Sequence, residues 1–158
     1  MRHIISVQLE NESGALSRVS GLFSARGFNI ESLTVATTND PTMSRMTIVS
    51  IGDDNIIEQI VKQLNKLIDV VKVTDLTATE HIERELLLVK ISLKDDSQAE
   101  IDGILDGFDA KIIDASEEAY TIELAGKSQK INDFIEVFDA DKILEVSRTG
   151  VTGVCQKI

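Results

Sequence analysis

Apolar and polar positions alternate along Ile4–Leu9, with Ile5, Val7 and Leu9 on one face, and this two-residue period predicts a strand. The period then lengthens. Leu16, Val19, Leu22 and Phe23 fall on one side of a helix over Ala15–Arg26, with Ser13 as its expected cap and Gly27 as its stop. Thr-, Ile- and Val-rich runs predict strands over Ile30–Thr37 and Met43–Ile51. Between them lies the turn Thr38-Asn39-Asp40-Pro41-Thr42, which holds the only proline. Helical spacing returns over Asp53–Lys66, begun by Asp53 or Asp54, with Ile56, Ile57, Ile60, Val61 and Leu64 on its apolar side. A strand over Asp69–Leu76 closes the series. The order is βαββαβ, a ferredoxin-like arrangement.

The polar, aperiodic run Thr77–His81 reads as a linker, and the same order then recurs more weakly. It comprises a strand over Ile82–Leu93, a helix over Gln98–Asp106, strands over Lys111–Ala115 and Ala119–Ala125 joined by a tight turn, a helix over Ser128–Phe138, and a strand over Lys142–Ser147. The chain is therefore expected to be α+β, with one unit in residues 1–77 and a second in 78–158. Each is small enough that packing or dimerisation is expected to support it.

Composition narrows the function. Of the 158 residues 42% are hydrophobic and 4% aromatic, with no tryptophan, so the core must be aliphatic. No apolar run approaches the roughly 20 residues of a membrane span, and the N-terminus reads as a strand, so a cytoplasmic location is expected. The net charge of −11 is uneven: 9 acids and 7 bases leave −2 in residues 1–77, and 18 acids and 9 bases leave −9 in the rest. That balance argues against nucleic acid and against anionic membranes, and makes a basic partner the sharper reading of an otherwise solvating surface. The single cysteine, Cys155, excludes an intramolecular disulfide and a cysteine metal cluster.

Catalytic chemistry finds no footing. His3 falls in a strand and His81 in the linker, neither beside a nucleophile. Ser13-Gly14 lacks the spacing of a nucleophile elbow. Asp53-Asp54, Asp95-Asp96 and Glu117-Glu118 stand at turns or helix starts, where they favour the helix dipole and solvation, and no metal-loop spacing is present. Gly103 and Gly107 do not form a dinucleotide fingerprint, and Arg148-Thr149-Gly150 reads as a strand end and turn. The strands lack the stacking aromatics of an RNA-binding version of the fold, and the first loop lacks the paired thiols of a copper chaperone. A small-molecule sensor remains. Its candidate site is the junction at Asn11-Glu12-Ser13-Gly14, where glycine permits close approach and the first helix amides can receive an anion.

Those residues also carry a resemblance. Leu9-Glu10-Asn11-Glu12-Ser13-Gly14-Ala15-Leu16-Ser17-Arg18, Arg26-Gly27-Phe28-Asn29-Ile30-Glu31-Ser32-Leu33 and Ser44-Arg45-Met46-Thr47-Ile48 resemble the small regulatory subunits of acetolactate synthase. In the second half Arg84-Glu85-Leu86-Leu87-Leu88-Val89-Lys90, Phe108-Asp109-Ala110-Lys111-Ile112-Ile113-Asp114 and Val146-Ser147-Arg148-Thr149-Gly150 continue the likeness. Asp109 departs from the basic residue usual after the phenylalanine.

The resemblance implies an ACT domain followed by a C-terminal α+β domain. It also implies a homodimer with a branched-chain amino acid, most often valine, at the subunit junction. The partner would be a large catalytic subunit that carries thiamine diphosphate, magnesium and FAD, while this chain holds no cofactor, no metal and no catalytic residue. The implied effector site comprises Asn11 and the amides of Gly14, Ala15 and Leu16 from one subunit, with Asn29 and Ile30 from the other. The effector's side chain would rest between Leu9, Leu16 and Val35. An ordinary turn role for Asn11 is equally consistent with the sequence, and the alternative for Asn29 is a left-handed turn residue after Gly27. A free-standing amino-acid-sensing ACT protein is the alternative function, and an enzyme in its own right the least supported.

Overall fold

A computed structural model describes residues 1–94 and 98–157. It separates into two compact units, Met1–Glu83 with Val151–Ile158, and Arg84–Gly150.

In the first unit β1 (Arg2–Glu10), α1 (Ala15–Ala25), β2 (Ser32–Thr37), β3 (Met43–Ile51), α2 (Asp54–Leu64) and β4 (Val70–Asp75) follow the expected βαββαβ order. The antiparallel sheet runs β2-β3-β1-β4. Odd-numbered β1 residues Ile5, Val7 and Leu9 face the helices and join Val19, Phe23, Met46, Ile48, Ile57, Ile60 and Leu64 in a closed aliphatic core. The two-residue period of the strand thus meets the helical stripe it was expected to meet. Asp53 caps α2 by accepting from the Ile56 amide at 2.9 Å, a contact worth about 1 kcal/mol.

The second unit repeats the plan with β5 (His81–Ser92), α3 (Gln98–Phe108), β6 (Lys111–Ala115), β7 (Ala119–Gly126), α4 (Ser128–Glu136) and β8 (Ile143–Arg148). Its strand path is β6-β7-β5-β8, the order of the first unit. The repetition extends to irregularities. The register shifts between the first and fourth strands in both units, at Gln8/Leu9 and at Lys90/Ile91. The same backbone bond closes each bulge, Glu10 N–H to Asp69 C=O and Ser92 N–H to Lys142 C=O, both 2.8 Å. Leu87, Val89, Ile91, Ile122, Ile131 and Phe134 form its core, with Phe108 and Phe138 edge-on to Phe134 at 5.2 and 5.3 Å. Glu85 is buried and receives the Arg148 guanidinium, Nε on Oε1 at 2.6 Å and Nη2 on Oε2 at 3.0 Å.

Four local expectations are revised. Gly14, not Ser13, is the N-cap of α1, with φ +86° and no side-chain cap bond. A serine would win on hydrogen bonding, but the left-handed turn there costs an L residue about 1–2 kcal/mol, which glycine avoids. The Thr77–His81 linker ends one residue early, because His81 already opens β5. Asn29 does not hold a left-handed conformation; Gly27 takes it, at φ +67°. An unexpected strand, β9 (Thr152–Cys155), pairs with β5 and belongs to the first unit. Val151, the residue just before it, joins Ile4, Val49 and Leu76 in a small cluster on the sheet face opposite the helices. Gly153 lets the strand come close: a Cβ at that position would sit 2.8 Å from the Leu76 side chain. The Asp95-Asp96 turn lies outside the described residues. No helix among the described residues is long and apolar enough to cross a membrane.

Candidate functional site

Where β1 gives way to α1, the chain forms an open cleft of about 310 Å³. Leu9, Ala15, Leu16, Val35 and Ala36 supply apolar wall, and Glu10, Asn11, Glu12, Thr37 and Ser44 supply polar rim. Leu16 is 44% exposed although its helical phase placed it with the core; Ala15 takes the buried position and Leu16 turns to the cleft. Asn11 is fixed at the mouth by two bonds, its amide on Thr42 C=O at 2.7 Å and its Nδ2 on Pro41 C=O at 3.0 Å. The hairpin carrying the sole proline therefore holds the loop that precedes the helix.

The helical ladder opens with Arg18 N–H on Gly14 C=O at 2.9 Å. The amides of Leu16 and Ser17 precede that bond and stand at the positive end of the helix dipole. Gly14 occupies the turn behind them. Its missing side chain leaves space that the Arg18 guanidinium borders, since a Cβ there would lie 2.9 Å from Nη1.

Arg18 is the residue sequence reasoning passed over. Its Nη2 donates to Asp69 Oδ1 at 2.9 Å and to Ser13 C=O at 3.4 Å, and its Nε donates to Asp69 Oδ2. Asp69 is buried at the entry to β4. The guanidinium holds the Asp69 carboxyl below the ordinary carboxylate range, mainly by its hydrogen bonds, and Asp69 raises Arg18 in return. This fork ties the helix start to the sheet, so the Gly14 turn is held from both sides. A basic residue one turn into the helix and an acid before the last strand were visible in the sequence. Only the fold brings them together.

Of the expected site residues, Asn11, Ala15 and Leu16 line one cleft, and Gly14 is the N-cap beside it. The Ala15 amide, expected to meet the ligand's anion, donates instead to Glu12 C=O at 3.2 Å, so that expected contact is already taken. Leu9, Leu16 and Val35, expected around the ligand's side chain, all line it. Asn29 and Ile30 stand elsewhere in the same chain, in the connection from α1 to β2. Asn29 Nδ2 donates to Glu31 at 2.7 Å, its carbonyl accepts from Ser50 Oγ at 2.7 Å, and Ile30 packs on the core. Among the described residues no group of three or more His, Cys, Asp or Glu is placed to hold a metal.

Residues 5–72 match the AHAS small subunit-like ACT domain, and residues 84–157 match the domain described as small subunit of acetolactate synthase. The isozyme 3 small subunit of acetolactate synthase from Escherichia coli is 54% identical over 98% of this chain and 95% of its own. The chain belongs to the acetolactate synthase small-subunit family. The small subunit from Haemophilus influenzae is 53% identical over the same shares. The crystal structure of the small subunit from Thermotoga maritima superposes with a TM-score of 0.90 at 39% identity, covering 99% of this chain and 98% of that one. Membership of the small-subunit family thus extends through both units and both matched domains.

Proposed function

We propose that this chain is the non-catalytic regulatory subunit of a cytoplasmic acetolactate synthase. It binds a larger catalytic subunit that uses thiamine diphosphate, magnesium and FAD, raises its activity, and imposes feedback inhibition by valine or a related branched-chain amino acid. The observation that carries this reading is the cleft at the start of α1. An amino acid needs an anion site, a polar anchor and a small apolar pocket, and the helix start at Gly14–Leu16, Asn11, and the Leu9–Leu16–Val35 wall supply them in that order.

Pairing of two chains completes the site. β2 is an edge strand, and its Val35, Ala36 and Thr37 are both exposed and part of the cleft wall. A second chain added along that edge would cover the ligand and bring its own Asn29 and Ile30 to the effector's ammonium. The chain itself holds no cofactor; its work is to bias the partner by differential binding in two states.

Two measurements test the proposal. Affinity purification of the full chain from cells expressing the catalytic subunit should recover a complex with thiamine diphosphate-dependent acetolactate synthase activity. Calorimetry should show saturable binding of valine, leucine or isoleucine. Effector binding without any complex would instead identify a free-standing sensor.

A further inference from the structure

Ser44 stands apart from the other polar residues of the α1 cleft. Glu10, Asn11, Glu12 and Thr37 are exposed, whereas Ser44 is 6% exposed. It is the second residue of β3, where it lies between Leu9 of β1 and Thr37 of β2. Met46 and Ile48, further along the same strand, enter the helix-side core, so the strand's alternation turns Ser44 to that side as well. Its hydroxyl is thus set into the apolar wall, with Leu9 directly across and Val35 on the diagonal. No group among the described residues hydrogen-bonds to its Oγ.

A hydroxyl buried among aliphatic side chains is ordinarily bonded. The second unit shows how the same place is satisfied. Tyr120 is the second residue of β7, opposite Ala115 at the end of β6, as Ser44 is opposite Thr37 at the end of β2. It too is buried, and its hydroxyl accepts from the Gln98 side chain, at the first residue of α3. The first residue of α1 is Ala15, which has no side-chain donor and lines the cleft with Ser44. What Gln98 supplies in one unit is left, in the other, to whatever fills the cleft.

We infer that Ser44 receives the hydroxyl of a β-branched hydroxy amino acid, so that the effector cleft binds threonine or its C3 epimer, allo-threonine, as well as valine. The inference rests on the effector reading of this cleft. Either compound is valine with one methyl replaced by a hydroxyl, so each fits the same walls. The two exchange the places of hydroxyl and methyl, so only one of them sets its hydroxyl against Ser44. A purely apolar pocket disfavours such an isostere by about 100-fold. A hydroxyl in the wall removes that discrimination for the matching epimer. With valine bound, Ser44 is covered by a methyl group and stays unbonded.

Titration calorimetry of the full-length protein with valine, threonine and allo-threonine is the test. One epimer should bind the wild type within about tenfold of valine, and the other about 100-fold more weakly than valine. Ser44→Ala, its fold checked by circular dichroism, should weaken the favoured epimer by about tenfold and leave valine within about threefold of its wild-type affinity. Equal losses for valine and that epimer would show a packing role alone and overturn the inference. So would binding of both epimers to the wild type about 100-fold below valine, which needs no variant to observe. If valine and both epimers all fail to bind the wild type, the effector reading of the cleft falls as well.

Discussion

Replacing Gly14 is the sharpest probe of the α1 cleft, because the structure separates two effects. The first is conformational. At φ +86° an L residue pays about 1–2 kcal/mol, within the 5–15 kcal/mol by which a domain is typically stable, so the protein should still fold. The second is at the site. A Cβ meets Arg18 Nη1 at 2.9 Å, and Arg18 is tethered to Asp69 and so is not free to swing away. Gly14→Ala should displace the turn and cost part of the anion's contacts. Gly14→Asp should cost more, since its carboxylate occupies the place of the effector's own and competes with Asp69 for the guanidinium. Loss of one charge-assisted amide bond is worth about 1.5–3 kcal/mol, a roughly 10- to 150-fold rise in the inhibitory concentration of valine. The assay is acetolactate formation by holoenzyme rebuilt from variant chain and wild-type catalytic subunit, with calorimetry on the variant alone. Activation of the catalytic subunit should persist. An unchanged valine midpoint for Gly14→Asp, in a variant shown to be folded, would refute the placement of the carboxylate at this helix start.

In a mixed dimer of Asn11→Ala and Asn29→Ala chains, one of two shared sites stays intact, so titration should recover half the wild-type stoichiometry; no binding would argue against a site shared across subunits. Because Arg18 depresses the Asp69 carboxyl in the folded protein, the pair stabilises fully above the ordinary carboxylate value, about pH 4, and fades as pH falls through the lower folded value. The stability gap between wild type and Asp69→Asn in urea titrations should therefore narrow progressively below about pH 4; a gap constant down to pH about 2 contradicts the pairing. Asp109 is the one non-glycine residue with positive φ among those described, at +56° after α3. Asp109→Gly should raise stability by about 0.5–1 kcal/mol, read as a higher melting temperature, and a lower one would show that the aspartate side chain anchors the turn.

The elements legible in the sequence were those whose period matched their surroundings. Ile5, Val7 and Leu9 alternate, and all three are buried under the helices; Ile57, Ile60 and Leu64 follow the helical repeat, and all are buried. Leu16 and Ser13 misled for a common reason: the start of α1 serves the cleft and the left-handed turn, not the core and the cap, so local propensity gave way there. Asn11 was legible as a site residue, but its anchor on Pro41 and Thr42 was not, because a contact 30 residues away leaves no local pattern. The Arg18–Asp69 fork, 51 residues apart, was hidden in the same way. His3 was assigned no role from its sequence neighbours, and only the fold shows that both its nitrogens are stranded. β9 escaped because four residues with a glycine, Thr-Gly-Val-Cys, carry no period to read.

That last strand sets a timetable for synthesis. The first sheet is complete in sequence once Asp75 has been made, and its helix-side core can close at once. Its other face cannot. Ile4, Val49 and Leu76 must wait for Val151, which leaves the ribosome only after the whole second unit. At about 5–20 residues per second that interval is roughly 4–15 s. During it the nascent N-terminal unit shows an open aliphatic patch to whatever is nearby, including another nascent copy of itself. A stop codon anywhere after Leu76 and before Val151 would make that exposure permanent.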